Sequence, residues 1–128
     1  MLIRSCSDLA DLAEGLGETA IAAANRTRAA AGLAALDGLW SETHGQYLSK
    51  DRTTGALIDS ASIGGILPVF AAVPGPRARD VARTVERHGG ATQFIVASHD
   101  PDDPRFDQKR YWRGPVWLVM NYMIADGL

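Results

Sequence analysis

Apolar residues recur at helical spacing in the first forty residues and predict two helices there. The first is short and spans 7–15, because Ser7 or Asp8 can cap it and the glycines that follow break it. The second spans 18–39 and is rich in alanine, which permits close packing against neighbouring helices. Gly32 lies inside it and weakens the helical pattern. The apolar positions of the first helix are Leu9, Leu12, Ala13 and Leu16.

Two further helices are predicted in the second half of the chain. The third spans 77–88 and ends at Gly89–Gly90, with its apolar positions on one face and four arginines on the other. The last begins at Gly114–Pro115, where a proline needs no backbone donor, and stays apolar on most faces through Ile124. A helix of this kind is buried on most faces. We therefore expect something beyond these amphipathic helices to cover it.

The segments between the helices show shorter patterns. Residues 46–49 and 56–59 flank a turn-like stretch and predict a β-hairpin with a longer loop. The apolar run 63–70 predicts a brief helix or a packed turn, and the Val73–Pro76 stretch that follows is a stop signal. Residues 92–97 predict an extended strand, and a polar loop rich in Asp and Pro follows to Arg110. The predicted class is mainly α with a small β-hairpin.

Composition and charge exclude several functions. The chain has 128 residues, enough for one small domain, with a formal net charge of −2 and only two lysines, Lys50 and Lys109. The arginines are scattered, so a nucleic-acid groove is not expected. Cys6 is the only cysteine, which excludes an internal disulfide and a thiolate metal cluster. Without a signal peptide or a membrane span, we expect a cytoplasmic protein.

The stretch from Asp107 to Trp117 carries the chemistry of greatest interest. Two tryptophans and a tyrosine lie within seven residues at a predicted junction between a loop and a helix, beside two arginines. Sugar rings have apolar faces that stack on Trp and Tyr, while their hydroxyl groups take hydrogen bonds from Arg, Asp and Tyr. Composition alone leaves a second interpretation open, a buried aromatic plug that caps the final helix.

The string YWRGPVW, followed by LVMNYMI, resembles the signature of the (α/α)6-barrel glycoside hydrolases that include the processing α-glucosidase family and the mannosylglycerate and glucosylglycerate hydrolases. Other pieces fit in the same order, from about Leu9 onward: LWSETHGQY, ASIGGILPVFAAVP, a helix ending in HGG, and a DPDDPRFD loop. The resemblance implies that residues 1–128 are part of one barrel domain, a partial (α/α)6 toroid. A complete barrel has twelve helices, which at about 12 residues each need about 144 residues for the helices alone. The chain is therefore shorter than the fold it resembles.

The resemblance also implies which residues touch the substrate. In the hydrolases of this type the matching Tyr and Trp contact the sugar, which gives Tyr111 and Trp112 here, and the closing Trp lines the same pocket, which gives Trp117. Arg113 either touches ligand or braces the loop. The catalytic acid is an Asp upstream of the matched region and the base a Glu downstream. No catalytic residue is therefore assigned here, and we expect the chain alone to be inactive.

Other candidate constellations favour structural roles. The acidic loop lacks the Gly and terminal Glu of an EF-hand, so we expect a solvated pocket rim rather than a Ca²⁺ site; its acidic residues are Asp100, Asp102, Asp103 and Asp107. Of these, Asp107 lies near enough to the aromatic motif to help with substrate hydroxyls. Glu42 and His44 are expected on an exposed turn and His99 in solvent. His88 ends a helix whose dipole favours the charged imidazole.

The sequence leaves three functions open. The first is a segment of an inverting α-glycosidase barrel that cleaves α-linked glucosides or mannosides and supplies part of the sugar pocket. The second is a non-enzymatic helical module that binds a carbohydrate or a protein. The third is a neighbouring barrel family, the trehalases or debranching α-1,6-glucosidases. The expected partners are a small carbohydrate and the remainder of the barrel, with no metal, cofactor, nucleic acid or membrane.

Overall fold

A computed structural model describes residues 1–73 and 75–128, which form two compact units that meet in sequence at Gly38 and Leu39. Pro74, part of the predicted stop signal, lies outside the described residues. The mainly helical class with a small two-stranded hairpin is confirmed. Within the described residues, no helix has the length and apolar content that a membrane crossing requires.

The first unit is a pair of helices, α1 (Leu2–Gly15) and α2 (Thr19–Asp37). The helix α1 begins five residues earlier than the sequence pattern indicated. Both helices bury small side chains against each other, so their backbones approach closely; the buried residues are Cys6, Ala10, Ala13, Ala22, Asn25 and Ala29. The helix α2 runs unbroken through Gly32, and a Cβ there would meet the Ile3 side chain at 2.7 Å. Glycine is thus a packing residue at this position.

The leucines of α1 are not the buried face of the first unit, contrary to the sequence pattern. Leu9, Leu12 and Leu16 are 52%, 61% and 71% exposed, whereas Ala13 is buried. Two helices cover only one face of each other, and the small residues of α1 occupy that face. The leucine stripe is therefore an apolar surface of the unit.

The second unit begins with a short antiparallel hairpin. Strands β1 (Trp40–Ser41) and β2 (Gln46–Tyr47) pair Trp40 with Tyr47. A hairpin is confirmed, but its predicted pairing is wrong: residues 46–47 pair with 40–41 instead of with 56–59. The predicted arms are linked only by the isolated bridge between Lys50 and Leu57. The following apolar run forms two 3₁₀ helices, Ile63–Gly65 and Leu67–Ala71.

Two helices complete the second unit. The helix α3 (Pro76–Ala91) continues past Gly89–Gly90, where the sequence predicted its end. The helix α4 is Leu118–Gly127. Gly127 lies against the second 3₁₀ helix, where a Cβ would meet the backbone of Val69 and Phe70 at 2.6 Å. The fully buried apolar side chains of this unit include Ile63, Ile66, Val69, Val81, Val96 and Ile124.

Two predictions for the end of the chain are wrong, and they share a physical cause. No strand forms over 92–97, and α4 begins at Leu118 instead of Gly114–Pro115. Residues near position 97 instead pair with residues near position 115, through the Ala97–Val116 bridge and a bond from the Ser98 N–H to the Pro115 carbonyl at 2.9 Å. This tertiary pairing engages Pro115 and Val116, and the helix begins only after Trp117, whose backbone is extended.

Much of α4 is exposed within this chain. Leu118, Val119 and Tyr122 are 85%, 62% and 70% exposed, and only Asn121 and Ile124 are buried. An apolar helix with this exposure matches the expectation that further protein covers it. Phe94 and Ile95, 64% and 55% exposed, extend the same apolar character to the segment before Val96.

Candidate functional site

The aromatic residues of the YWRGPVW string form one cluster in the structure. The ring centroids of Tyr111 and Trp117 lie 4.3 Å apart, those of Tyr111 and Trp112 5.3 Å, and those of the two tryptophans 5.7 Å. The Trp117 Nε1–H donates to the Tyr111 carbonyl at 3.2 Å. We call these three residues the aromatic cluster. Separations of this size are typical of interacting rings.

The aromatic cluster lies on the surface of this chain. Tyr111 is 62% exposed, Trp112 is 54% exposed, and Trp117 is half-buried. A plug that caps the final helix would be buried, so this interpretation does not describe the cluster in the chain alone. Exposed aromatic rings with defined spacing offer apolar faces to a ligand or to another part of a larger protein.

A tight loop presents Tyr111 and Trp112. The loop is closed by a bond from the Asp107 N–H to the Arg113 carbonyl at 2.8 Å, and inner turns link Arg110 to Asp107 and Arg113 to Arg110 through their backbones. Gly114 is buried at the base of the loop, where a Cβ would come within 2.5 Å of the Asp107 carbonyl carbon and the Gln108 Cα. Only glycine permits this approach of the two backbone segments.

Two charged side chains near the cluster in sequence, Asp107 and Arg113, differ in their contacts. The Asp107 carboxylate accepts the Lys109 N–H at 2.9 Å and lies 3.6 Å from the Arg110 guanidinium, so it stabilises its own loop. The Arg113 side chain is exposed, and its guanidinium has no hydrogen bond or ion pair among residues 1–73 and 75–128. Of the two roles open for Arg113, bracing through its side chain has no contact to support it.

Two buried polar residues connect the aromatic motif to the rest of the unit. The Ser98 Oγ accepts the Gly114 N–H at 2.9 Å. The Asn121 amide accepts the Val96 N–H at 2.9 Å and donates to the carbonyls of Val96 at 2.9 Å and Trp117 at 3.0 Å. Sequence reasoning missed both residues. The available signal for Asn121 was a lone amide in an otherwise apolar helix.

The acidic loop is held by arginines. Asp100 is buried and receives two hydrogen bonds from Arg87, at 2.7 and 2.8 Å, and Asp102 receives another at 2.8 Å. Burial raises the pKa of Asp100, but the Arg87 hydrogen bonds and the Asp102 N–H lower it further, so the net pKa is below the ordinary value. Arg105 binds Asp103 through two nitrogens and likewise lowers the pKa of Asp103.

In the part of the chain that the structure describes, no group of three or more His, Cys, Asp or Glu side chains is placed to hold a metal ion. The expectation that the acidic loop is solvated is wrong at its start, because Ser98, His99 and Asp100 are buried. The loop is an ordered element held by ion pairs.

The histidines differ from their predicted settings. His99 is 2% exposed rather than solvated, with its Nε2 3.1 Å from an Asp103 oxygen. His88 is fully buried, and burial lowers its pKa more than the attraction of Asp100, 3.8 Å away, raises it. The neutral imidazole is therefore favoured at His88, against the expectation from the helix dipole. His44 contacts Asp59 at 2.7 Å on the hairpin side.

Several clefts of the second unit are lined by residues outside the aromatic cluster. One, of about 620 Å³, lies between the hairpin and α3 and is lined by Trp40, Glu42, His44, Arg83, Arg87 and Asp100 among others. Its charged groups are already paired, Glu42 with Arg77 at 2.7 Å and Asp80 with Arg83 at 2.8 Å. We favour the exposed aromatic cluster as the candidate site, because paired charges leave few groups free for a ligand.

Comparisons with known proteins agree with the motif. Mannosylglycerate hydrolase MGH1 of Selaginella moellendorffii is 44% identical over 95 residues, which cover 73% of this chain and 20% of that protein. The mannosylglycerate hydrolase of Thermus thermophilus is 41% identical over 93 residues, or 72% of this chain and 22% of that protein. The chain thus spans about a fifth of the length of these curated relatives.

Solved structures show the same likeness. The crystal structure of a GH63 mannosylglycerate hydrolase from Thermus thermophilus in complex with glucose has a TM-score of 0.89 and 36% identity, and the match covers 98% of this chain and 30% of that one. The complex of that enzyme with Tris and D-glycerate gives a TM-score of 0.89 and 37% identity over the same shares. A family model for the mannosylglycerate hydrolase MGH1-like glycoside hydrolase domain matches residues 1–128. The chain therefore belongs to the MGH1-like glycoside hydrolase family.

Proposed function

We propose that this chain supplies part of the sugar pocket of a glycoside hydrolase that cleaves α-linked mannosides or glucosides of glycerate. The observation that carries the proposal is the aromatic cluster, which is exposed and closely spaced. Arg113 is next to it in sequence, and its guanidinium makes no hydrogen bond or ion pair in the described residues. In this pocket the faces of Trp112 and Trp117 stack on the sugar, Tyr111 adds a hydroxyl group, and Arg113 donates hydrogen bonds to ligand oxygens.

The relatives support the substrate class. The curated relatives described above carry the name mannosylglycerate hydrolase, and the matching crystal structures contain glucose or D-glycerate. A pocket for such a compound needs an apolar surface for the sugar ring and hydrogen-bond donors for its oxygens. The aromatic cluster and Arg113 supply both.

Three carboxylates of this chain are unsuited to the role of general acid. Glycoside hydrolysis uses two carboxyl groups, one of which acts as general acid and protonates the leaving group. This group needs a raised pKa to be protonated at neutral pH. Here the pKa values of Glu42, Asp100 and Asp103 are lowered, in each case with an arginine hydrogen bond among the main causes. We infer that the acid belongs to the remainder of the barrel, of which residues 1–128 form one part. For the base, the proposal rests on the family resemblance, which places a Glu downstream of the matched region.

The test uses the complete gene product that contains these residues. Turnover of mannosylglycerate, glucosylglycerate and trehalose is compared, and we expect the two glycerate glycosides to have the highest kcat/KM. Turnover of trehalose alone would indicate the trehalase type, and saccharide binding without any turnover would indicate a binding module.

The expected cytoplasmic location stays a prediction, checked by fractionating cells that produce this protein.

Arg113 provides a matched pair of variants. Arg113→Ala is expected to raise KM by about ten-fold or more, because a hydrogen bond from a charged donor contributes about 1.5–3 kcal/mol. Arg79→Ala is the control, since Arg79 on α3 is also exposed and its side chain makes no hydrogen bond or ion pair in the described residues. Equal kinetics for the two variants would remove Arg113 from the site.

A further inference from the structure

Ser98 joins the aromatic motif to the core of the second unit. Its side chain is fully buried, and three hydrogen bonds involve it: the Oγ accepts the Gly114 N–H at 2.9 Å, the backbone N–H donates to Pro115 at 2.9 Å, and the carbonyl accepts the Ile63 N–H at 3.1 Å. Gly114 and Pro115 are the centre of the YWRGPVW string. The motif is therefore fixed to the first 3₁₀ helix through one serine.

Asn121 makes a second connection on the other side of the motif. Its amide binds both backbone groups of Val96, two residues before Ser98, and also the carbonyl of Trp117. Asn121 is 6% exposed, so these bonds lie away from water. Buried hydrogen bonds of this kind fix the relative position of the segments that they join.

The rings of the aromatic cluster have little else to hold them. Within the described part of the chain, the Trp112 indole has no hydrogen bond, and the only such bond inside the cluster is that from Trp117 Nε1 to the Tyr111 carbonyl. Tyr111 and Trp112 are more than half exposed. Their spacing therefore depends on the backbone at the centre of the motif, at Gly114, and at its end, at Trp117.

We propose that Ser98 and Asn121 are positioning residues for the sugar-binding aromatic cluster. The inference rests on the proposed function of that cluster. In the described residues, the hydrogen bonds of both side chains go to backbone groups and not to the rings. Ser98 fixes the base of the loop that carries Tyr111 and Trp112, and Asn121 fixes the backbone of Trp117. Stacking on a sugar needs ring faces held in one arrangement, and residues that support a binding group set how well it is held.

The first test follows the rings themselves. The complete gene product is labelled with 5-fluorotryptophan, and the ¹⁹F resonances of Trp40, Trp112 and Trp117 are assigned by single Trp→Phe substitutions. Ser98→Ala is expected to shift or broaden the signals of Trp112 and Trp117 and to leave that of Trp40 unchanged. Unchanged signals from Trp112 and Trp117 would overturn the proposal.

Thr84→Val is the matched control. Thr84 is also buried, and its hydroxyl donates to the Gly45 carbonyl at 3.0 Å, beside the hairpin that contains Trp40. The variant removes one buried hydroxyl without altering the aromatic motif. We expect it to affect the Trp40 signal only. A shift of Trp112 and Trp117 in this variant as large as in Ser98→Ala would mean that any loss of a buried bond loosens the rings, which contradicts a positioning role.

A second variant at each position keeps the test informative. If Ser98→Ala does not fold, Ser98→Cys takes its place, because a thiol has nearly the same volume and is a weaker acceptor. Asn121→Asp keeps the side-chain volume and removes the two donated bonds, so we expect it to move the Trp117 signal more than that of Trp112. A larger change in the Trp112 signal than in the Trp117 signal would contradict the inference that Asn121 positions Trp117.

Kinetics separate this inference from the proposed function. Ser98→Ala is expected to raise KM for mannosylglycerate about ten-fold, below the roughly 100-fold effect of a 1 Å misplacement, while Thr84→Val leaves KM unchanged. If the ring signals move and KM does not, Ser98 still positions the rings, but the cluster does not bind the sugar and the proposed function fails. If KM rises without movement of the ring signals, the positioning inference fails and the proposed function stands.

Discussion

Replacing Gly114 by alanine tests how closely the aromatic loop is built. Gly114 is buried, and a Cβ placed on it would lie 2.5 Å from the Asp107 carbonyl carbon and the Gln108 Cα, and closer still to the Asp107 oxygen. These neighbours are backbone atoms and cannot rotate away as a flexible side chain would. The loop from 107 to 113 must therefore move before the variant can fold.

The structure gives the size of the effect. The overlap requires a backbone shift of about 1 Å, and overpacking of a dense interior costs about 1–3 kcal/mol. The shift also strains the bond from Asp107 N–H to the Arg113 carbonyl, for which a loss of about 1 kcal/mol is typical. We expect Gly114→Ala to lower the free energy of unfolding by about 2–4 kcal/mol.

Gly90→Ala is the matched control with the opposite expected sign. Gly90 lies in α3, and a Cβ placed there meets nothing within 4 Å. Alanine is better than glycine inside a helix by about 0.5–1 kcal/mol, so this variant should be slightly more stable than the parent. Urea unfolding of the complete gene product, followed by circular dichroism, measures both variants. The Trp112 and Trp117 fluorescence should change only in Gly114→Ala.

The result that refutes this reasoning is simple to recognise. If Gly114→Ala is as stable as Gly90→Ala and its tryptophan emission is unaltered, the backbone of Asp107 does not approach Gly114 as the structure shows. The loop would then be loose, and the spacing of the aromatic rings would lose its structural explanation.

Three further predictions follow from the site. Trp112→Ala should lower kcat/KM by about 30-fold, the effect of about 2 kcal/mol at a binding hot spot. Trp40→Ala should instead lower mainly the melting temperature, because Trp40 packs on Tyr47 and the Arg77 guanidinium. A Trp112 variant with a lower melting temperature and normal kinetics would contradict this prediction. The purified 128-residue chain should not hydrolyse any of the glycosides, and turnover abolished by one Asp or Glu substitution would refute the assignment of the acid and base to other residues. Asp100 has a lowered pKa in the folded chain. Its contribution to stability is therefore complete above its unfolded pKa of about 3.9 and is lost as pH falls through the folded value. In acid unfolding curves, the free energy of unfolding of Asp100→Asn should depend less on pH below about pH 4 than that of the parent.

Local periodicity predicted the helices well where their neighbours in sequence decide the structure. The helices near 18–39 and 77–88 were found because their spacing and composition are helical over many residues. The strand at 92–97 and the helix start at Pro115 were wrong, because Ser98 and Asn121 bind the backbone of these segments. Such partners are distant in sequence, and propensity does not report them.

The candidate site divides in the same way. The rings and Arg113 could be predicted, since their types and order within one short string already suggest carbohydrate binding. That the rings lie 4.3–5.7 Å apart on the surface could not, because this depends on how Gly114 packs and on what the Trp117 backbone binds. The burial of His99 was also missed, because a polar sequence gave no sign that Arg87 and Arg105 hold its neighbouring acidic residues.

The pairing of charges fits our proposal that this chain contributes to sugar binding and that the catalytic carboxyl groups lie elsewhere in the barrel. Here the acidic residues near the clefts are paired with arginine or histidine, and Glu42, Asp100 and Asp103 have lowered pKa values, so they remain ionised and serve the fold. A general acid needs the opposite environment, a carboxyl group whose pKa burial raises. The exposed rings, by contrast, lie 4.3–5.7 Å apart on the surface, and on our proposal they form one wall of the sugar pocket. In the same proposal, the remainder of the barrel supplies the opposing wall together with the two catalytic carboxyl groups.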